Sequence, residues 1–477
     1  MGKIINNYLY NVFFQLLILI LPLILSPFLV RVLGSEQLGI FSFVTSIANI
    51  IVTIGLFGTY NYGCRQIAYK RDTLHECNDT YNQIFSVRLL LGVLLSIIYF
   101  IVCIVEKEYR LYFFVYYFWV LSMIIDPSWY FVGQEDMKAT ALKNTAVRLS
   151  ALILIFVFVK EKHGLITYLG IMGFSALFCN LVLFFQLKKY KVKYKVTFSS
   201  GKSHIKGALA LFWPQVATLF YLQVDKIMLK YLTGDVSQVS FYDYGEKIVT
   251  IPLTLITTLS IVMMPRIANE YAKNNTDTMR NLLIKAGEFS LLLAMPMMLG
   301  MAVCANKLIP WYLGNSYSPS ISVIILVSPI IITNSLSGIS GNQYLVATNQ
   351  MTLLLRAYVP AAVLNVVINA LLIPKFGCQG AAIATVFAAL VSVCIQYYYM
   401  NKQINVNEFL GIGVKYFIYS VPVAIIAYIV GVNLQATPMT SILQVLSGCL
   451  VYVCVLVLTK DSNFKIILNK ANSIIKR

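Results

Sequence analysis

Apolar runs of about twenty residues follow one another along almost the whole chain, and very few folds tolerate that. A helix crosses the hydrocarbon core of a bilayer in roughly 20 apolar residues. Fourteen stretches qualify: 9–33, 38–62, 84–105, 111–134, 143–160, 165–187, 208–232, 238–263, 286–306, 319–339, 355–376, 377–399, 412–431 and 440–459. In lipid the backbone must satisfy its own hydrogen bonds, so each is expected to be a helix. The runs are continuous rather than alternating, which excludes a transmembrane β-barrel. Only 12% of the 477 residues are charged and 59% are hydrophobic. Too little polar surface remains to coat a water-soluble globule. A soluble enzyme, a disulfide scaffold and a disordered chain are excluded together. The first run is too long for a signal-peptide core and no small-residue cleavage site follows it, so it reads as the first span.

The charge excess of +18 has a specific distribution. With the N-terminus placed in the cytoplasm, 25 Lys and Arg fall in inner loops and tails and 7 in outer ones. That bias puts both ends of the chain in the cytoplasm and makes the cations topological anchors rather than nucleic-acid ligands. The stretch 188–207 carries seven lysines and no acid. It is either an anchor to anionic inner-leaflet lipid or a plain linker whose lysines enforce topology. The nine cysteines form no C-x-x-C pair, and the three histidines (His75, His163, His204) are isolated. Neither set suggests a metal site. No nucleotide-binding or hydrolase motif appears. The chain therefore does not read as an enzyme, and no cofactor is expected. A coupling ion, H+ or Na+, is not legible.

The two halves resemble each other. Leu33-Gly34-Ser35-Glu36-Gln37-Leu38-Gly39 joins spans one and two, and Leu232-Thr233-Gly234-Asp235-Val236-Ser237-Gln238 joins spans seven and eight. The following spans exit through Arg65-Gln66-Ile67-Ala68 and Arg266-Ile267-Ala268; later turns carry Lys162-His163-Gly164 and Lys375-Phe376-Gly377. Six spans per half is an even number, so the halves run in the same direction, as in parallel-repeat transporters. The expected division is an N-lobe at 1–187, a basic cytoplasmic loop at 188–207 and a C-lobe at 208–400. Two further spans and a basic tail occupy 401–477. A central cavity between the lobes completes the plan.

Ionisable residues at membrane depth face a cavity or a partner by default. Arg88, Asp126 and Arg148 lie four to eight residues from cytoplasmic helix ends and form a candidate inner layer. Asp225, Lys226, Asp243, Glu246 and Lys247 form a candidate outer layer in the second half, with Arg31 near the outer edge and Glu288 near the inner one. A guanidinium fork suits phosphate oxygens. The alternative for all of them is snorkelling and structural ion pairing. Among nine prolines inside spans, Pro22 and Pro27 share one helix and are the candidate hinge.

Several motifs then have a known counterpart. Asp126-Pro127-Ser128-Trp129-Tyr130-Phe131-Val132-Gly133-Gln134-Glu135-Asp136-Met137-Lys138, followed by Asn144 and Arg148, resembles the fourth span of bacterial polysaccharide flippases. Phe212-Trp213-Pro214 with Asp225-Lys226-Ile227-Met228-Leu229 is similar to their seventh span. Met264-Pro265-Arg266-Ile267 resembles the exit of their eighth, and Gly377-Cys378-Gln379-Gly380-Ala381-Ala382-Ile383-Ala384-Thr385 their small-residue twelfth. The family belongs to the multidrug/oligosaccharidyl-lipid/polysaccharide exporter superfamily. The resemblance implies an all-α polytopic, MATE-like fold. It also implies a flippase that carries a polyprenyl-pyrophosphate-linked oligosaccharide to the outer leaflet for capsule, O-antigen, teichoic acid or another glycan. Membrane lipid, a polysaccharide polymerase and glycosyltransferases become the expected partners. The motif match covers Asp126, Asp225 and Lys226; Arg31, Arg88, Arg148, Glu246 and Lys247 rest on depth and charge. A multidrug or cation antiporter of the same superfamily, and a non-transporting scaffold for glycan assembly, are the alternatives. On the flippase reading, Arg88→Ala and Asp126→Ala are each expected to impair export without loss of folded protein.

Overall fold

The computed structural model describes residues 2–192, 198–401 and 404–465. Within these, the side chains of 2–19, 137–142, 198–203 and several positions between 210 and 262 lie outside the description. Lys138, Lys193, Lys195, Lys202, Trp213, Pro214, Lys402, Lys470, Lys476 and Arg477 fall in these excluded parts. Among the described residues every regular element is helical. Two compact units divide the chain, Met1–Lys230 with Asp235–Ser240, and Tyr231–Gly234 with Phe241–Arg477.

The first unit contains α1 (Gly2–Leu56), α2 (Thr59–Lys70), α3 (Leu74–Val105), α4 (Arg110–Ile125), α5 (Ser128–Gly133), α6 (Met137–Phe158), α7 (Leu165–Gln186) and most of α8 (Phe198–Thr233). The second holds most of α9 (Ser237–Ala272), α10 (Thr276–Tyr312), α11 (Pro319–Val327), α12 (Ile330–Ser337), a π-helix (Gly338–Val346), α13 (Met351–Phe376), α14 (Cys378–Met400), α15 (Asn407–Val432) and α16 (Pro438–Leu458). Ten helices among the described residues are long and apolar enough to cross a membrane, against fourteen expected. Spans one and two fall in α1 as two helices that meet at a kink at Gly34 (φ 77). Helices α6, α8 and α9, described only in part, occupy the places of spans five, seven and eight.

Both halves of the repeat turn on a glycine in the same place. Gly34 and Gly234 each have positive φ, 77° and 69°, a backbone region that costs side-chain-bearing residues energy. The later pair differs, because Gly377 is at φ 55 and Gly164 at φ −70. Small residues bring α13 and α14 together: a Cβ on Gly380 would lie 2.6 Å from the Leu372 carbonyl oxygen. Backbones approach this closely in membranes because van der Waals packing drives association there.

An aromatic cluster packs at one end of the first unit. Tyr81 stacks on Trp129 at 5.1 Å and on Phe85 at 5.3 Å, within a buried cluster that reaches Tyr62, Leu187 and Ala208. His204 on α8 bonds Tyr62 (2.9 Å) and Gln83 (2.8 Å). Burial, reinforced by the charge of Lys70, pushes its imidazole below the usual histidine value.

In the second unit α15 and α16 pack on α10. Tyr452 donates to the Leu292 carbonyl (2.7 Å), Trp311 to Ser441 (2.8 Å) and Lys307 to the Leu434 carbonyl (2.8 Å). After α16, Asp461 accepts from Lys415 (2.5 Å) and from the backbone N–H of Asn463 (3.0 Å) and Phe464 (3.1 Å), while Asn463 donates to Glu288 (3.0 Å). Burial alone raises a carboxyl pKa, but Lys415 and those N–H groups outweigh it and hold Asp461 below its ordinary 3.8. A depressed carboxyl pKa adds stability above the unfolded value and loses it as pH falls through the folded one. The melting temperature of purified protein is therefore expected to drop below pH 4 or so. Asp461→Asn should melt lower at pH 7 and flatten this acid limb; an unchanged limb would remove Asp461 as its source.

Candidate functional site

The fourth span is interrupted at Asp126-Pro127, and the interruption organises the inner layer. In an unbroken helix the amides of residues 127 and 128 bond the carbonyls of Met123 and Ile124. Pro127 has no N–H, and the Ser128 N–H turns instead to Asp126 Oδ1 at 2.8 Å. Two carbonyls are thereby orphaned inside a membrane span. Arg88 on α3 takes both: Nε donates to the Ile124 oxygen at 3.0 Å and Nη2 to the Met123 oxygen. Asn180 on α7 donates to the Ser122 carbonyl at 2.8 Å. The last turn of α4 is thus capped by side chains from two neighbouring helices.

Arg88 is 1% exposed and Asp126 9%, with Arg88 Nη2 3.9 Å from Asp126 Oδ2. Among the described residues Arg88 Nη1 has no hydrogen-bond partner. Cys179 lies within electrostatic reach of both Asp126 and Arg148, so the three sequence candidates share one neighbourhood. Their surroundings differ, because Arg148 is exposed on α6 whereas Arg88 is committed to backbone. Arg88 therefore reads as a splint for the broken span. The expectation that its loss spares the fold is revised on that ground.

In the outer layer Asp225 and Lys226 are buried on α8, at 0% and 9% exposure. Asp243 and Glu246 are buried on α9, and Asp243 pairs with Lys247 at 2.5 Å. Lys247 keeps its side chain 48% exposed. Lys230 bonds Glu108 at 3.3 Å and lies 5.1 Å over the Tyr109 ring. Arg31 is exposed on α1. Pro22 and Pro27 sit in helical backbone, and the break inside α1 lies at Gly34. Among the described residues no three His, Cys, Asp or Glu gather as a metal site.

Asn180 and Ser128 were not singled out in the sequence. The available signal was Pro127 itself, since a proline within a span requires someone else to satisfy the freed carbonyls. Which residue does so depends on packing between helices.

A family model described as "Polysaccharide biosynthesis protein" matches residues 4–270. A "Putative O-antigen transporter" of Shigella dysenteriae is 23% identical over 382 residues, covering 78% of this chain and 93% of the relative. A protein of the same description from Escherichia coli (strain K12) is 25% identical, covering 76% and 88%. Among solved structures, "Lipid II flippase MurJ, inward closed conformation" superimposes with a TM-score of 0.71 at 16% identity, covering 96% of this chain and 99% of that one. An inward-facing multidrug resistance MATE family transporter gives 0.66 at 12% identity, with 82% and 94% covered. At these identities the structural likeness establishes an all-helical, MATE-like membrane fold.

Proposed function

The chain belongs to the polysaccharide biosynthesis protein family, and from that premise we propose that it is a flippase for a lipid-linked oligosaccharide. The substrate is a polyprenyl-pyrophosphate carrying a sugar unit, moved from the cytoplasmic to the outer leaflet of a bacterial cell membrane by alternating access. The destined product is a capsule, O-antigen, teichoic acid or other exported glycan. Its partners are the polymerase and glycosyltransferases of that pathway. Both chain termini lie in the cytoplasm.

The observation that carries this reading is the family match over 4–270, which includes the Asp126-Pro127 motif. Physical chemistry supports it. A sugar pyrophosphate is polar and anionic, so hydrocarbon bars its crossing, whereas a polar path through the protein replaces its hydration shell. Arg31, Asp126, Arg148, Asp225, Lys226, Glu246 and Lys247 are the residues proposed to line that path. Arg88 acts on it indirectly, by holding the break in span four. The polyprenyl tail stays in lipid throughout.

Deleting the gene in its host is expected to strand lipid-linked oligosaccharide on the cytoplasmic side and to remove the surface glycan. Reintroducing the wild-type chain should restore both. A deletion that changes only drug or dye sensitivity would replace this reading with that of an antiporter.

A further inference from the structure

Helix α9 carries a polar face that the charged layers do not account for. Lys247, Thr250, Thr254 and Thr257 recur at spacings of three, four and three residues, which places them within an arc of about 80° on one side of the helix. Thr254 and Thr257 are exposed and Thr250 is half-buried. The adjoining side, with Val249, Leu253, Ile256 and Ser260, is buried in the second unit. Each threonine hydroxyl donates to a carbonyl three residues back: Thr250 to Lys247 (2.8 Å), Thr254 to Ile251 (2.7 Å) and Thr257 to Thr254 (3.1 Å). Their protons are satisfied locally, and a hydroxyl that donates its proton keeps acceptor capacity on its oxygen.

The repeat sharpens the point. Gly34 and Gly234 are both positive-φ turns 200 residues apart. At the same offset the first half has Ile47, Ile50, Ile54 and Phe57 where the second has Lys247, Thr250, Thr254 and Thr257. At these positions one half carries hydrocarbon and the other carries oxygen and a cation. Thr254 lies about 25 Å along α9 from its start, at a position where the first half carries an isoleucine, Ile54.

We propose that the face formed by Lys247, Thr250, Thr254 and Thr257 is the carbohydrate-contacting surface of the second unit. The threonine oxygens accept hydrogen bonds from sugar hydroxyls of the lipid-linked headgroup, and Lys247 meets its phosphate. The inference rests on the flippase reading for the identity of the ligand, but not for the face being wet.

Two measurements on the full chain separate these levels. In proteoliposomes, Thr254→Cys and Thr257→Cys should react with a membrane-impermeant charged thiol reagent. Leu255→Cys, exposed at 63% on another side of the same helix, should not. Site-resolved mass spectrometry distinguishes these positions from the native cysteines. Absence of label at both 254 and 257 would overturn the proposal, because the face would then be in lipid. In cells, the triple variant Thr250→Val, Thr254→Val, Thr257→Val keeps the β-branched shape and removes three acceptors. It is expected to lower glycan export about tenfold or more at unchanged melting temperature, and the triple serine variant should restore export. Export at the wild-type rate in the triple valine variant would refute sugar contact. If that variant melts early, the labelling result decides. Failure of the wild-type chain itself to support export would sink the flippase reading and leave the labelling result standing.

Discussion

Replacing Arg88 with alanine should cost the protein its fold, not merely its activity. The variant strands two carbonyls in the interior, those of Met123 and Ile124, and each unsatisfied buried group costs about 1–3 kcal/mol. It also leaves Asp126, 9% exposed, without its nearby cation. Removing one partner of a buried pair typically costs about 3–5 kcal/mol. A steep fall in melting temperature, or no recoverable monodisperse protein, is the expected outcome in detergent. Arg88→Lys should fall in between, because a single ammonium lacks the planar fork that spans two adjacent carbonyls. A variant that melts like wild type but fails in export would mean that the guanidinium touches substrate instead.

Gly39→Ala should be nearly as damaging, for a steric reason. A Cβ at Gly39 would press on the carbonyl oxygen of Val236 well inside 3.0 Å, with the Val236 carbonyl carbon behind it. The obstacle is backbone, so no rotamer change relieves it. Both residues belong to the first unit, where the segment Asp235–Ser240 rests on α1. Overpacking typically costs about 1–3 kcal/mol, and contact with rigid backbone puts this variant at the upper end; a thermal melt of the purified variant measures it. Gly34→Ala makes the useful contrast: open space surrounds that Cβ, so any loss there comes from the positive φ alone. If Gly39→Ala melts with the wild type, the close approach of the Val236 turn is not part of the fold in the membrane.

Several features were legible from local pattern. The helices, the glycine turns at residues 34 and 234, and the importance of Asp126-Pro127 all follow from run length or from a single residue type. Others were not. The first two spans meet at a sharp kink at Gly34 with no intervening loop. The tenth span continues past its expected end at 339 as a π-helix to Val346. Arg88 looked like a phosphate ligand because depth and charge were its only visible attributes. The threonines of α9 escaped notice because a neutral hydroxyl carries no weight in a search for buried charge.

Run length dictates the helices, because in lipid each helix must satisfy its own backbone hydrogen bonds along the chain. Packing alone assigned Arg88 and Asn180 to the carbonyls of α4 and separated the buried side of α9 from its polar one. Those pairings join residues from 35 to 58 positions apart, and such partners are chosen by which helices pack together, a property no local stretch contains.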